Sequence, residues 1–345
     1  MRDLKFICAQ PDDVYFTWQV HLWLESLRKL GHSDKAIVLV FCPNFREPND
    51  KWQKLVDLYP EAEFAFYRDD DNTVSKLLGI YISVLRPYTL MRYFQDHPEM
   101  KEKTLMYCDC DVVFTDKFNI DQYINDDVHY LSDTNSYINA SYFDSKLRDV
   151  MPSKLEAYKE RDILQETTAI CNVNREIAEQ YNQHSGGAQY LLKNIDAEFW
   201  KHVMEDCISI RVFLMGINRE FFESEDRGFQ SWCADMWAVL WNLVLREKEI
   251  KIVPEMGFSW APDPIEKLKD HPILHNAGAV GTEMPAGGDQ PPIKMFYKGK
   301  YHTGQDPTQD PHLNDVLNDE RSKKMCTGYY AQKLKDLSIK YNLTY

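Results

Sequence analysis

The sequence predicts an α/β fold: a mostly parallel central sheet flanked by helices, with a helical extension at the C-terminal end. Three features carry that expectation. Short apolar runs alternate with stretches whose apolar residues recur every three or four positions, the order of a βαβ series. Ala36 to Cys42, AIVLVFC, is apolar throughout, as a strand buried on both faces of a parallel sheet must be. Thr104 to Thr115, TLMYCDCDVVFT, reads as a buried strand ending in two carboxylates, with a second apolar run directly after them.

In order, Leu4 to Ala9 is a first strand reaching Pro11. Val14 to Leu30 carries Val20, Trp23, Leu24, Leu27 and Leu30 on one helical face, and Gly31 sits where that helix would stop. The strand Ala36 to Cys42 completes a βαβ unit. Asn49 or Asp50 can cap a short helix through Trp52, Leu55, Val56 and Leu58 that ends at Pro60, and Glu63 to Tyr67 is a third strand. After the acidic turn Asp69-Asp70-Asp71, a helical stretch from Ser75 to Phe94 is interrupted at Arg86-Pro87, since proline suits a first helical turn and breaks a helix interior. Arg86 therefore stands at a helix junction, either as a surface ion pair or as a cation facing an anionic ligand.

The fourth strand carries Asp109 and Asp111. Residues two apart in extended chain point the same way, and in open α/β sheets ligands sit beyond the carboxyl ends of the strands. Two buried carboxylates need compensation, which a divalent cation with oxygen ligands would supply. The alternative is a pair of aspartates in a polar loop. Val128 to Ser132 is a further strand, and residues 134 to 175 are polar and only partly helical. Ser185-Gly186-Gly187-Ala188-Gln189 precedes an apolar strand and a helix with Phe199, Trp200 and Val203; the paired glycines fit either a close backbone approach to a ligand or a plain turn. In the segment Gly216 to Leu245, Trp232, Met236, Leu240 and Val244 fall at i, i+4 spacing and predict a buried helix, with Asp235 in its first turns. That carboxylate is either satisfied by a helix N-terminus or works as acid, base or ligand; Glu223, Glu225 and Asp226 nearby read as exposed. A late strand over Glu249 to Pro254, the group His275-Asn276-Ala277-Gly278, a Gly- and Pro-rich loop to Pro292, two lysines, Lys298 and Lys300, and a helix over Lys324 to Tyr341 complete the chain.

At 345 residues, 44% hydrophobic and 27% charged, the chain has room for one large domain or two ordinary ones. No run of about 18 apolar residues could span a membrane, and the acidic start MRDLKFICAQPDD does not suit a secretory leader. The eight cysteines lack metal-type spacing and lie mostly in apolar segments, which suits a reducing, cytoplasmic setting. Two Asn-x-Ser/Thr sequons, at Asn139 and Asn342, read as chance. A formal net charge of −14 counts against general polyanion binding, which rests on Lys and Arg.

Taken together, the βα series, Asp109-Cys110-Asp111, the buried Asp235 and the late His275 beside Asn276-Ala277-Gly278 resemble a glycosyltransferase of the GT-A fold over roughly residues 4 to 305. The resemblance implies a transferase domain over 1–305, with a donor half to about 133 and an acceptor half over 134–305, followed by a C-terminal helical appendage at 306–345. It implies that Asp109 and Asp111 match the D-x-D motif and hold Mn2+ or Mg2+ with His275, bridging to the diphosphate of a nucleotide sugar, a UDP-sugar in the first instance. Asp235 would be the catalytic base or orient the sugar, and Arg86, Asp109, Gly187, Gln189 and Lys298 would bind the donor. The activity implied is hexosyl or pentosyl transfer to a hydroxyl acceptor.

Two acceptor classes fit: a glycan or small molecule, and a 5-hydroxymethylcytosine-type base in DNA taking glucose or arabinose, as with soluble glycosyltransferases of large tailed phages. A non-catalytic nucleotide-binding protein of the same fold would be expected to lack one of the acids, all of which are present. A nucleotidyltransferase would more often carry a Gly-rich basic loop after its first strand, unlike Gln10-Pro11-Asp12-Asp13.

Overall fold

The computed structural model describes residues 2–43, 47–69, 76, 81–278, 280–288, 290–342 and 344–345. Asp70 and Asp71 of the acidic turn, Ser75 and Leu77 to Ile80 of the helical stretch expected over Ser75 to Phe94, and Leu343 of the second sequon lie outside them.

The chain folds as the α/β pattern requires. Strand β1 (Leu4–Pro11) leads to helix α1 (Val14–Lys29), capped by the Asp13 carboxylate on the Tyr15 N–H and closed by Gly31, whose φ of +74° is open to glycine at little cost. Strand β2 (Ala36–Cys42) is buried at every position, and Asn49 caps α2 (Asp50–Leu58) through the Lys51 N–H at 2.8 Å. Strand β3 (Glu63–Arg68), helix α3 (Leu85–Asp96, with Pro87 in its first turn) and strand β4 (Thr104–Cys108) follow.

After β4 come β5 (Val112–Phe114) and β6 (His129–Asp133), and then four short helices, α4 to α7 (Ala140–Ser145, Leu155–Lys159, Ile163–Ala169, Arg175–Gln180). The Asn139 sequon is the N-cap of α4. Strand β7 (Gly186–Lys193), the 25-residue α8 (Ala197–Phe221), α9 (Ala234–Leu245) and strands β8 (Ile250–Ile252), β9 (Phe258–Trp260) and β10 (Ile273–His275) follow. The main sheet has the order β3-β2-β1-β4-β7-β6-β8, parallel except for β7, which runs antiparallel to both β4 and β6. A second sheet, β5-β10-β9, begins where β4 ends.

Two expectations differ in detail. Gly216 lies inside α8, and Trp232 is not on the buried face of α9: it lies in a preceding 3₁₀ turn and is 56% exposed. Gly186 packs against protein, not ligand. A Cβ there would meet the Ser132 carbonyl oxygen at 2.3 Å and Ile252 Cδ1 at 2.7 Å. Gly186→Ala is therefore expected to force β7 from β6 and destabilise the fold by about 1–3 kcal/mol, read as a lower urea midpoint; an unchanged midpoint would contradict that packing.

At the C-terminal end, helices α10 (Pro311–Asn318) and α11 (Cys326–Tyr341) bury Leu313, Val316, Tyr330, Ala331 and Leu334 in a cluster shared with Trp18 and Leu22 of α1. Glu25 of α1 receives Lys340 Nζ and Tyr341 Oη, each at 2.9 Å. Burial opposes ionisation of Glu25, but these two donors more than offset it and hold its pKa below the ordinary carboxylate value. A depressed carboxylate stabilises the fold above its unfolded pKa and loses that contribution as the pH falls through the folded value. Stability should thus drop in acid more steeply for the wild type than for Glu25→Gln, compared as urea midpoints between pH 7 and pH 3.

Candidate active site

The two aspartates of the D-x-D triplet lie at the seam between the two sheets. β4 carries the chain out of the main sheet, Asp109 to Asp111 turn it, and β5 enters the second sheet. There β5 pairs antiparallel with β10, so that His275 lies opposite Val112 and the Asn276 N–H bonds the Asp111 carbonyl at 3.1 Å. This pairing brings a late histidine beside an early acid. Ligand atoms of Asp109, Asp111 and His275 all lie within 4.8 Å of one another. His275 Nε2 is 3.4 Å from Asp111 Oδ1 and 3.9 Å from Asp109 Oδ2, and Trp260 stacks on the ring at 5.5 Å and 21°.

Two cations of the chain already face these acids. Arg86, at the start of α3, bridges Asp109 and Asp235, and Lys298 pairs with the second oxygen of Asp111. Burial would raise the Asp111 pKa, but the Lys298 ammonium outweighs it and holds the group well below the ordinary carboxylate range. Asp111 Oδ1, by contrast, is buried and accepts no hydrogen bond, a position that a buried carboxylate oxygen rarely occupies without a partner. Asp235, in the first turn of α9, is 7% exposed, and burial raises its pKa against the lowering effects of Arg86 and the Tyr81 hydroxyl, 2.7 Å from its Oδ1.

Two cavities meet at these residues. One, of about 190 Å³, is lined by Asp109, Asp111, Asp235, His275, Ala188 and Trp260. The other, of about 240 Å³, lies at the end of β1 and is lined by Gln10, Pro11, Tyr15, Ile82, Arg86 and Lys298. Arg86, Asp109, Asp111 and Lys298 line both, so the acids and their cations separate two compartments of one cleft.

Of the sequence candidates, Arg86, Asp109, Asp111, Asp235, His275 and Lys298 come together. Lys300 does not: it pairs with Asp310, the N-cap of α10, at 2.7 Å. Gly187 and Gln189, expected at the donor, are not on the cavity walls. Gln189 stays in register with Cys108 of β4, on the face opposite Tyr190, and before it β7 is bulged, since Tyr190 opposes Leu131 while Gly186 opposes Asp133. Within the bulge Ala188 takes a φ of +68° and lines the cavity and Gly187 leaves room for Tyr190 Oη and Met236 Cε, while Gln189 after it points inward to His275. Tyr81, Ala188 and Trp260 were not legible beforehand. Only the glycine pair hinted at the bulge; Tyr81 and Trp260 carry no local signal. Glu223, Glu225 and Asp226 are exposed, as expected, and the eight cysteines are buried.

No protein-family model and no curated protein matches the chain. Among solved structures it is similar to the galactosyltransferase LgtC in complex with donor and acceptor sugar analogues, at a TM-score of 0.45 and 9% identity, covering 97% of this chain and 95% of that one. It is also similar to core-mannan synthase A from Aspergillus fumigatus in an Mn/GDP form (0.32, 9%, 66% and 72%) and to mouse xyloside xylosyltransferase 1 (0.32, 9%, 80% and 97%). At such scores function has to be argued from the geometry of the cleft itself. No helix among the described residues is long and apolar enough to cross a membrane.

Proposed function

We propose that this chain is a GT-A glycosyltransferase that moves a sugar from a nucleoside-diphosphate sugar to a hydroxyl acceptor. The observation that carries the reading is the convergence of Asp109, Asp111 and His275, with an unpartnered buried oxygen on Asp111. Two carboxylates and an imidazole suit Mn2+, and Mg2+ when diphosphate oxygens complete the set. When bound, such an ion supplies Lewis-acid stabilisation of the charge that develops on the leaving diphosphate.

The chain's own groups divide the remaining work. Lys298 and Arg86 stand where the two cavities join, so they would hold the diphosphate and favour its departure electrostatically. The compartment at the end of β1 takes the nucleoside. There Gln10 donates Nε2–H to the Leu39 carbonyl at 2.7 Å, and its buried Oε1 makes no hydrogen bond, leaving it to accept a base N–H such as that of uracil. A UDP-sugar is the donor this favours. Asp235 faces the other compartment, where the donor sugar and acceptor hydroxyl meet. Burial raises its pKa and so makes it a stronger proton acceptor than an ordinary aspartate, with Arg86 opposing that rise. The acceptor we favour is a glycan or small hydroxylated molecule in the cytoplasm, since the net charge of −14 opposes DNA.

The test is a panel of nucleotide sugars with and without Mn2+, followed by thermal unfolding. A ligand at about 100 times its Kd stabilises the folded state by roughly 2.7 kcal/mol. One donor should raise the melting temperature only with Mn2+, and should be hydrolysed or transferred. A shift indifferent to the ion and surviving Asp111→Ala would overturn the assignment.

A further inference from the structure

Behind His275, on the side away from the acids, a buried polar chain remains that the proposed chemistry does not use. Gln189, with no exposed surface, has Nε2 2.9 Å from His275 Nδ1 and Oε1 2.6 Å from Ser132 Oγ, and Ser132 Oγ is also 2.6 Å from the Met256 carbonyl oxygen. A hydroxyl has one proton to give. The Met256 carbonyl can only accept, so that proton belongs to it, and the Ser132 oxygen must then receive one. Gln189 can give it only from its NH2 group. The two ends of a carboxamide have nearly the same shape and are told apart by their partners. Turned by 180°, the amide donates to Ser132 and presents its oxygen to His275 Nδ1. An oxygen there accepts only, so Nδ1 must carry a proton. In the neutral ring the lone pair then lies on Nε2, the atom facing Asp111 and Asp109.

We infer that Gln189, oriented by Ser132 and the Met256 carbonyl, is a positioning residue that fixes the His275 tautomer and so presents Nε2 as a ligand for a divalent cation. This rests on the metal-site reading above. Strand alternation makes the arrangement possible: Gln189 pairs in regular register with Cys108 and shares the buried face of Leu191, while the bulge and the left-handed Ala188 before it end that regular run. Trp260 fixes the ring plane and Gln189 fixes its proton, as outer partners of a ligating histidine do.

The test compares Gln189→Met, which keeps length and removes both polar ends, with Gln189→Glu, which keeps an oxygen toward Nδ1 whichever way its carboxyl turns. Mn2+ affinity is read by electron paramagnetic resonance of the free ion. Gln189→Met should weaken binding roughly 10- to 100-fold, and Gln189→Glu should stay close to wild type. Wild-type affinity in Gln189→Met would overturn the inference, because Nε2 would then be presented without any partner on Nδ1. The wild-type protein supplies a readout that needs no variant to fold. Its His275 ring nitrogens, read by 15N shifts with and without Mg2+, should show the proton on Nδ1; an unprotonated Nδ1 overturns the inference. Failure of the wild type to bind Mn2+ would instead refute the metal-site reading, with the ring shifts of the ion-free protein still deciding the tautomer.

Discussion

Asp111→Asn is expected to abolish the Mn2+-dependent stabilisation by donor and to lower the rate of sugar transfer by about three powers of ten, on the order of 4 kcal/mol of barrier. The substitution keeps the shape and removes the charge. It should also weaken the ion-free protein, because Lys298, whose side chain is 16% exposed, would lose the carboxylate it faces. Removing one partner of a buried pair costs about 3–5 kcal/mol, whereas removing both with apolar replacement can be nearly neutral. The double variant Asp111→Asn/Lys298→Met should therefore recover much of the lost stability without recovering the Mn2+ effect. Urea denaturation and donor titration of the wild type, Asp111→Asn, Lys298→Met and the double variant separate the two roles. If Asp111→Asn still showed the Mn2+-dependent shift, the ion would not be held by this pair of acids.

Arg86→Met should be the most destabilising single change in the cleft, by about 3–5 kcal/mol, because one guanidinium compensates two acids. Its two terminal nitrogens reach Asp109 and Asp235 separately, and the Asp235 side chain is only 10% exposed. Lysine at this position has a single ammonium and cannot span both, so Arg86→Lys should recover only part of the loss. The pH dependence has a definite sign. Burial and Asp109 raise the Asp235 pKa, and Arg86 opposes them. Without Arg86 the pKa rises further, so the variant binds a proton in the fold more tightly than the wild type does. Its deficit should shrink as the pH falls from 8 to 5 and the carboxyl becomes neutral. A deficit that stayed constant over that range would show that Arg86 contributes through packing and not through charge.

Much of this molecule was legible locally. The cap at Asn49, the stop at Gly31, Pro87 in a first turn, and the uniformly buried β2 follow from side-chain chemistry and periodicity within a few residues. The D-x-D pair was visible for the same reason: an apolar strand that stops at two acids is a local contradiction, and its position at a carboxyl end gave it meaning. Trp232 shows the limit of that reasoning, since its i, i+4 spacing matched the α9 face while the helix begins only at Ala234 and leaves Trp232 in the preceding turn.

Sequence by itself thus determined which segments are strands and helices, and that two acids end the fourth strand. Tertiary structure alone decided how they are used. The reversal of β7, the pairing of Gln189 with Cys108 that aims it at His275, the reach of Arg86 across two acids, and the pairing of β5 with β10 that sets His275 against Asp111 all join residues far apart in the chain. Periodicity and capping report only whether a side chain is buried and how its own turn closes. Which buried carboxylate meets which cation or imidazole depends on strand order and register, and those are fixed only when the whole sheet closes around its core.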